Sequence, residues 1–328
     1  MQDRWSRSID YLRLSVTDRC NLRCRYCMPE EGVRRLAHEQ ILRLEELERL
    51  ARVAVRLGIR RIRVTGGEPL VRKGIVPLMA RLAGIAGLDD LAMTTNGILL
   101  GAMAPELKAA GLQRVNISMD SLRPERFRAI TRGGAIDAVW AGIDGALAAG
   151  LNPIKLNVVV IGGFNDDELV DFARLTLVRP IHVRFIEWMP MGASRCSGIP
   201  GCFVGVGQME QTLMEAGLRP EPVSPVRGAG PAAYRRLPGA LGTIGFIGAL
   251  SQHFCAACNR LRLTADGHLR PCLDGPVEFD LKGLLRLGVS DRQLAAIFRR
   301  ALAVKPAHHE MITEPWKAHA RQMSQIGG

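Results

Sequence analysis

The segment YLRLSVTDRCNLRCRYC, Tyr11 to Cys27, decides how this chain is read, because a β-type run passes directly into a loop with cysteines at positions 20, 24 and 27. No fourth cysteine follows nearby. A cubane [4Fe-4S] cluster normally takes four thiolates, so the spacing Cys-x3-Cys-x2-Cys holds three of its irons and leaves the last open to an exogenous ligand. An open iron is a place for chemistry.

Outward from that loop, short β-type runs alternate with helical patterns as far as about residue 188, the signature of parallel strands joined by crossover helices. The runs are Leu12 to Thr17, Arg61 to Thr65, Leu91 to Thr95, Arg114 to Met119, Ile154 to Val160 and His182 to Ile186. Between the first two, Leu44, Leu47, Leu50, Ala51, Ala54 and Leu57 recur at three- and four-residue spacing and predict a helix with one apolar face, stopped at Gly58. Side chains two apart on a strand share a face. Arg13, Ser15 and Thr17 therefore oppose Leu12, Leu14 and Val16, and the same split recurs in the later runs. A parallel sheet covered on both faces is nearly all apolar. One polar face on every strand instead predicts an α/β fold in the form of a partial six-stranded (β/α) barrel, helices outside and a wet or ligand-filled lumen within. Unpaired buried charge is costly, so the lumen cations Arg13, Arg61, Arg63, Lys155 and Arg184, set against Asp120, call for a polyanion.

After Met189 the pattern breaks into a Gly/Pro-punctuated stretch, a helical segment near Val206 to Ala216 and a Pro-rich loop from Arg219 to Pro238. The reading divides the chain into a barrel domain over 4–225 and a C-terminal α+β extension over 226–328. The extension holds a β-type run Thr243 to Ile247, a helix around Arg292 to Leu302, and a second triplet, Cys255, Cys258 and Cys272. Two readings of that triplet stay open: a second cluster with an open iron, or a Cys3His structural zinc with His253 or His268 as fourth ligand. Arg260 and Arg262 aim two cations at the same place and count against a plain zinc site. Cys196 and Cys202 match neither pattern and read as free thiols, and His308-His309 as surface or packing of the extension.

The 328 residues, 47% apolar, are ample for a sizeable core. A net charge of +12 calls for an anionic partner. Nucleic-acid binders gather their basic residues on a stripe with exposed aromatics, whereas here they are dispersed and aromatics are only 5%, so a small anionic substrate fits better. No apolar run is long enough for a membrane span and the N-terminal stretch lacks the apolar segment of a signal peptide, so the expectation is a cytoplasmic protein with no membrane partner. Eight cysteines in that setting favour metal ligation over disulfides.

Loops at the C-terminal ends of barrel strands are where such folds place active sites. TGGEP, Thr65 to Pro69, follows the second strand, with backbone groups exposed by its glycines and Glu68 placed for an ammonium; TTNG, Thr94 to Gly97, follows the third. With the cysteine loop, these motifs resemble the radical S-adenosylmethionine (SAM) superfamily, in which the open iron chelates SAM and the Gly-Gly-Glu-Pro loop holds its methionine part. The runs RVTGGEP, TTNG, VNISMDSL, IKLNVV, RFIEWMP and NRLRLT, the second cysteine triplet and the terminal Gly327-Gly328 are similar, end to end, to the GTP 3′,8-cyclase family of molybdenum-cofactor biosynthesis.

The resemblance implies a partial barrel of the radical SAM type with two [4Fe-4S] clusters, on Cys20, Cys24 and Cys27 and on Cys255, Cys258 and Cys272. It puts Tyr26, Gly67, Glu68, Ser118 and Met189 at SAM, and Arg13, Arg63, Thr94, Lys155, Arg260 and Arg262 at GTP; Arg61 is added from strand parity. Arg260, Arg262 and the tail Gly327-Gly328 are the implied catalytic residues. The implied reaction is conversion of GTP to 3′,8-cyclo-7,8-dihydro-GTP by a 5′-deoxyadenosyl radical that removes the ribose 3′ hydrogen. Implied partners are a flavodoxin- or ferredoxin-type electron donor and a cyclic pyranopterin monophosphate synthase that receives the product, with no nucleic acid, for a monomer or homodimer. A radical SAM peptide- or haem-modifying enzyme, and a zinc-stabilised basic module binding nucleic acid, are the alternatives.

Overall fold

In the computed structural model, which describes residues 1–328 other than 35, 192–201, 229, 312–320 and 328, the alternating runs form β1 (Tyr11–Ser15), β2 (Arg61–Thr65), β3 (Asp90–Thr95), β4 (Arg114–Ser118), β5 (Ile154–Val160) and β6 (Ile181–Glu187). They pair in chain order and all in parallel. β7 (Glu221–Pro222) precedes the extension, which adds β8 (Ala233–Arg236), β9 (Thr243–Ile247), β10 (Arg260–Leu263), β11 (His268–Arg270) and β12 (Phe279–Asp280). It continues the same sheet from both edges, because β9 runs parallel to β6 and β10 parallel to β1. The full order is β12-β11-β10-β1-β2-β3-β4-β5-β6-β9-β8-β7, an open sheet whose ends do not pair. The Arg219 to Pro238 stretch is more ordered than a loop, since β7 and β8 form an antiparallel ladder at the outer edge. Pro222 is tolerated there because an edge strand has one side that needs no N–H.

The crossover helices are α1 (Leu44–Arg56), α2 (Ile75–Ala83), α3 (Leu100–Ala109), α4 (Pro124–Thr131), α5 (Ile136–Ala148) and α6 (Leu169–Val178), followed by α7 (Val206–Glu215), α8 (Leu281–Arg286) and α9 (Asp291–Ala303). On α1 the apolar stripe Leu47, Leu50, Ala51 and Ala54 is fully buried against the outward strand residues Leu12, Leu14, Ile62 and Val64. Each such large side chain taken from water is worth about 1.5–3 kcal/mol, so the apolar parity of the strands fixes which face the helices cover. The α9 helix starts on a capping box in which Ser290 and Gln293 satisfy each other's backbone N–H groups, and Arg49 ties it to α1 through Asp291 at 2.9 Å.

The opposite parity faces inward, and the strand register sets it in rows. Arg262, Arg13 and Arg63 stand side by side on β10, β1 and β2. Ser118 and Asn157 on β4 and β5, with Arg184 on β6, form another row.

Candidate active site

A single cavity reaches from the cysteine loop to the strand interiors and is lined by Cys20, Cys24, Tyr26, Cys27, Gly67, Glu68, Ser118, Asp120 and Met189 at one end and by Tyr11, Arg13, Arg63, Thr94, Asn157, Arg184, Arg260 and Arg262 deeper in. Thus the elements that follow β1, β2, β3, β4 and β6 converge on one space.

The cysteine loop is fixed by its neighbour. The Gly67 N–H donates to the Thr17 carbonyl and the Glu68 N–H to the Arg19 carbonyl, both at 2.8 Å, so the TGGEP turn runs alongside the chain that enters Cys20. A Cβ on Gly67 would stand 2.4 Å from the Arg19 carbonyl oxygen. Only glycine allows that approach. Glu68 is buried and accepts from the Leu70 N–H at 3.0 Å, the Thr95 hydroxyl at 2.8 Å and the Asn96 N–H at 2.7 Å. A carboxylate offers about four lone-pair sites, so three are engaged in tying TGGEP to TTNG and about one is left for the ammonium the sequence assigns to it. Burial pushes its carboxyl up to about 7. Tyr26 donates to Asp120 at 2.7 Å, while the other Asp120 oxygen accepts from the Val159 N–H at 2.8 Å; burial pushes Asp120 up to about 6.

The donor set suits an iron cluster. All three thiols are free, and Cys20 Sγ accepts from the Leu22 N–H at 3.3 Å, the kind of bond that tunes cluster thiolates. Burial pushes Cys20 up to about 11, and burial reinforced by neighbouring thiols and Asp120 raises Cys24 and Cys27 further. Thiols that raise one another in this way ionise together only with a cation among them, which is what a metal centre supplies.

In the interior, the Gly327 carbonyl accepts from Arg13 Nε at 3.2 Å, Arg13 Nη2 at 3.0 Å and Arg262 Nη1 at 3.4 Å. The tail therefore enters the chamber as far as the described residues go; Gly328 lies outside them. Gly327 has φ +79°, and a Cβ there would stand 2.7 Å from Thr65 Oγ1, so a bare backbone is what fits. Burial, then the neighbouring guanidiniums, draws Arg13 well below its ordinary value, and burial holds Arg63 and Arg262 near about 10. Such a crowd of cations is an electrostatic socket for an anion.

Two of the assigned cations stand elsewhere. Arg61, half-buried at the rim, is ion-paired to Asp10 at 2.6 Å and does not line the cavity. Lys155 lies beneath it, donating to the Arg227 carbonyl at 2.6 Å, and burial with the charge of Arg184 and Arg114 draws it down to about 6. The floor also holds a residue that the sequence reading passed over: Arg114 shares the inward parity and is paired in bidentate fashion to Asp90, with Nε to Oδ1 at 2.9 Å.

Cys255, Cys258 and Cys272 are free thiols beside β10 and β11 and are not part of the cavity lining. Burial opposes ionisation of Cys255 and Cys258, but His309 at the first and Lys305 with Arg260 at the second outweigh it and lower both thiols; burial leaves Cys272 raised. Of the two candidate fourth ligands, His268 turns to Asp266 at 3.1 Å, and His253 stacks edge-on against His309 at 5.8 Å. His309 is thus the imidazole at Cys255, a contact with no signal in local sequence because the partners are far apart in the chain. Among the described residues, no three His, Cys, Asp or Glu side chains gather as closely as a single metal ion requires. Cys202, read from sequence as a free thiol, is disulfide-bonded, and Cys196 lies outside the described residues.

The open, mostly parallel sheet and the three-cysteine loop after β1 define a radical SAM protein: residues 14–176 match the Radical SAM superfamily and residues 181–311 match Molybdenum Cofactor Synthesis C. The structure of Streptococcus suis SuiB bound to S-adenosylmethionine shares the fold, with a TM-score of 0.59 at 14% identity over 89% of this chain and 68% of that one. The chain belongs to the GTP 3′,8-cyclase family. It is 60% identical to the GTP 3′,8-cyclase of Heliobacterium modesticaldum and 55% identical to that of Pelotomaculum thermopropionicum, in both cases over the whole of each chain.

Proposed function

We propose that the chain is a radical SAM GTP 3′,8-cyclase that converts GTP to 3′,8-cyclo-7,8-dihydro-GTP at the start of molybdenum-cofactor biosynthesis. The observation that carries this reading is that a three-thiol loop and the arginine row of Arg262, Arg13 and Arg63 open into one cavity. GTP is the substrate, and SAM and two [4Fe-4S] clusters are the cofactors. Cys20, Cys24 and Cys27 would hold the first cluster and Cys255, Cys258 and Cys272 the second; bound there, the first cluster and SAM supply a 5′-deoxyadenosyl radical as the oxidant.

The protein's own task is placement. Guanidinium groups engage phosphate oxygens in bidentate fashion, so Arg13, Arg63, Arg260 and Arg262 anchor GTP, with Thr94 alongside and Lys155 at the floor. Arg61, held by Asp10, has no part in it. Tyr26, Gly67, Glu68, Ser118 and Met189 sit where SAM would be contacted, and Tyr26 is oriented by Asp120. Holding both ligands with the reacting atoms adjacent removes the entropy of bringing them together. The Gly327 carbonyl, with Gly328 beyond it, brings backbone among the arginines without adding a side chain that a radical could attack.

The division into a barrel domain over 4–225 and an extension over 226–328 goes with this reading, as do a flavodoxin- or ferredoxin-type donor, transfer of product to a cyclic pyranopterin monophosphate synthase, and a cytoplasmic monomer or homodimer. Among the described residues no helix is long and apolar enough to cross a membrane. Anaerobic incubation of reconstituted protein with GTP, SAM and dithionite tests the proposal. Formation of the cyclic nucleotide with 5′-deoxyadenosine and methionine is the expected result; SAM cleavage that leaves GTP unchanged would sink it.

A further inference from the structure

We propose that Lys305 and Arg7 form a cationic clamp that positions the three segments carrying Cys255, Cys258 and Cys272, with the Lys305 ammonium as the counter-charge of the cluster they hold. The inference rests on reading those cysteines as cluster ligands. Lys305 follows α9 and is 1% exposed. Its Nζ donates to the Arg260 carbonyl at 2.9 Å and the Pro271 carbonyl at 2.5 Å. Arg260 lies just beyond Cys258, and Pro271 directly precedes Cys272. One ammonium therefore joins the backbones that present two of the three thiols.

Arg7 completes the set. Its Nη1 donates to the Cys255 carbonyl at 2.8 Å and the Ala307 carbonyl at 2.9 Å, its Nη2 to the Pro306 carbonyl at 2.7 Å, and its Nε is fixed by Asp3 at 2.6 Å. Trp5 Nε1 donates to the Lys305 carbonyl at 2.9 Å. The N-terminal segment and the strip Lys305 to Ala307 thus brace each other and, between them, all three cysteine segments.

Among the described residues the Lys305 ammonium meets carbonyl oxygens and no carboxylate. A buried ammonium without an anion is costly. A cubane on three thiolates carries net negative charge in its ordinary oxidation states and would supply that anion. The converse follows: a fixed cation beside the cluster stabilises the added electron and raises its potential.

The test uses the full chain with Cys20, Cys24 and Cys27 all changed to Ser, so that only the second site can hold iron. Adding Lys305→Met keeps the length of the side chain and removes its charge. The expected result is a cluster of more negative midpoint potential whose iron passes to a chelator about tenfold faster or more. An unchanged potential with an unchanged release rate overturns the clamp while leaving the cluster assignment intact; a parent protein that takes up no iron overturns the assignment and the clamp with it. Should Lys305→Met fail to fold, Trp5→Phe removes one outer donor while keeping an aromatic side chain: faster iron release is then expected, and unchanged release overturns the proposal.

Discussion

At position 67 there is room for a hydrogen and nothing larger, since the Arg19 carbonyl oxygen lies 2.4 Å from where a Cβ would be. Gly67→Ala must push apart the turn and the chain leading into the cysteine loop, at a cost of about 1–3 kcal/mol. A lower melting temperature and loss of iron from the first site alone are the expected outcomes, read by thermal unfolding and metal analysis. Glu68 gives a pH signature. Its folded pKa of about 7 lies above the ordinary 4.5, so its contribution to stability is full below about 4.5 and is lost as pH rises through about 7. The wild-type chain should therefore lose up to about 1.4 kcal/mol per pH unit across that window from this group. Glu68→Gln should lack that slope; parallel stability profiles for the two proteins would refute the assignment. For substrate, Arg260→Ala with Arg262→Ala should lower GTP turnover while sparing the first cluster's iron, measured by product formation beside iron content.

The elements were legible to different degrees, for physical reasons. A strand with one wet face shows its period in the residue types, so Arg13, Arg63, Thr94, Asn157 and Arg184 could be placed on the inner face from parity, and they line the cavity. Parity says which way a side chain points, not what meets it. Arg61 has the right period but sits level with Asp10 at the strand's entrance and is captured there. Arg114 has the same parity, yet its pairing to Asp90 depends on β3 lying beside β4. The pairing of β9 and β10 with the two edges of the six-strand run left no local mark, because short strands of an extension read alike whether they form a new sheet or continue an old one. His309, Lys305 and Arg7 reach their cysteine partners only through that long-range assembly. The Asp90–Arg114 pair yields an element-scale prediction. Removing one partner of a buried pair leaves the other charge uncompensated, which costs about 3–5 kcal/mol. Asp90→Ala should therefore unfold at markedly lower denaturant concentration than wild type, and a midpoint within error of wild type would show that the floor of the barrel does not depend on it.

For the molecule as a whole, the extension's cysteines and arginines are delivered to the barrel because β10 lies against β1, setting Arg262 beside Arg13 and Arg63. That continuity gives one chamber with a thiol loop at its mouth, guanidiniums within and the Gly327 carbonyl among them. The central claim is that this chamber holds GTP with its ribose against SAM. The most direct measurement is anaerobic turnover with GTP carrying deuterium at ribose C3′ and mass analysis of the 5′-deoxyadenosine released. The account predicts deuterium in the 5′-deoxyadenosine, with the cyclic nucleotide formed alongside; 5′-deoxyadenosine free of label, from GTP that is consumed, would contradict it.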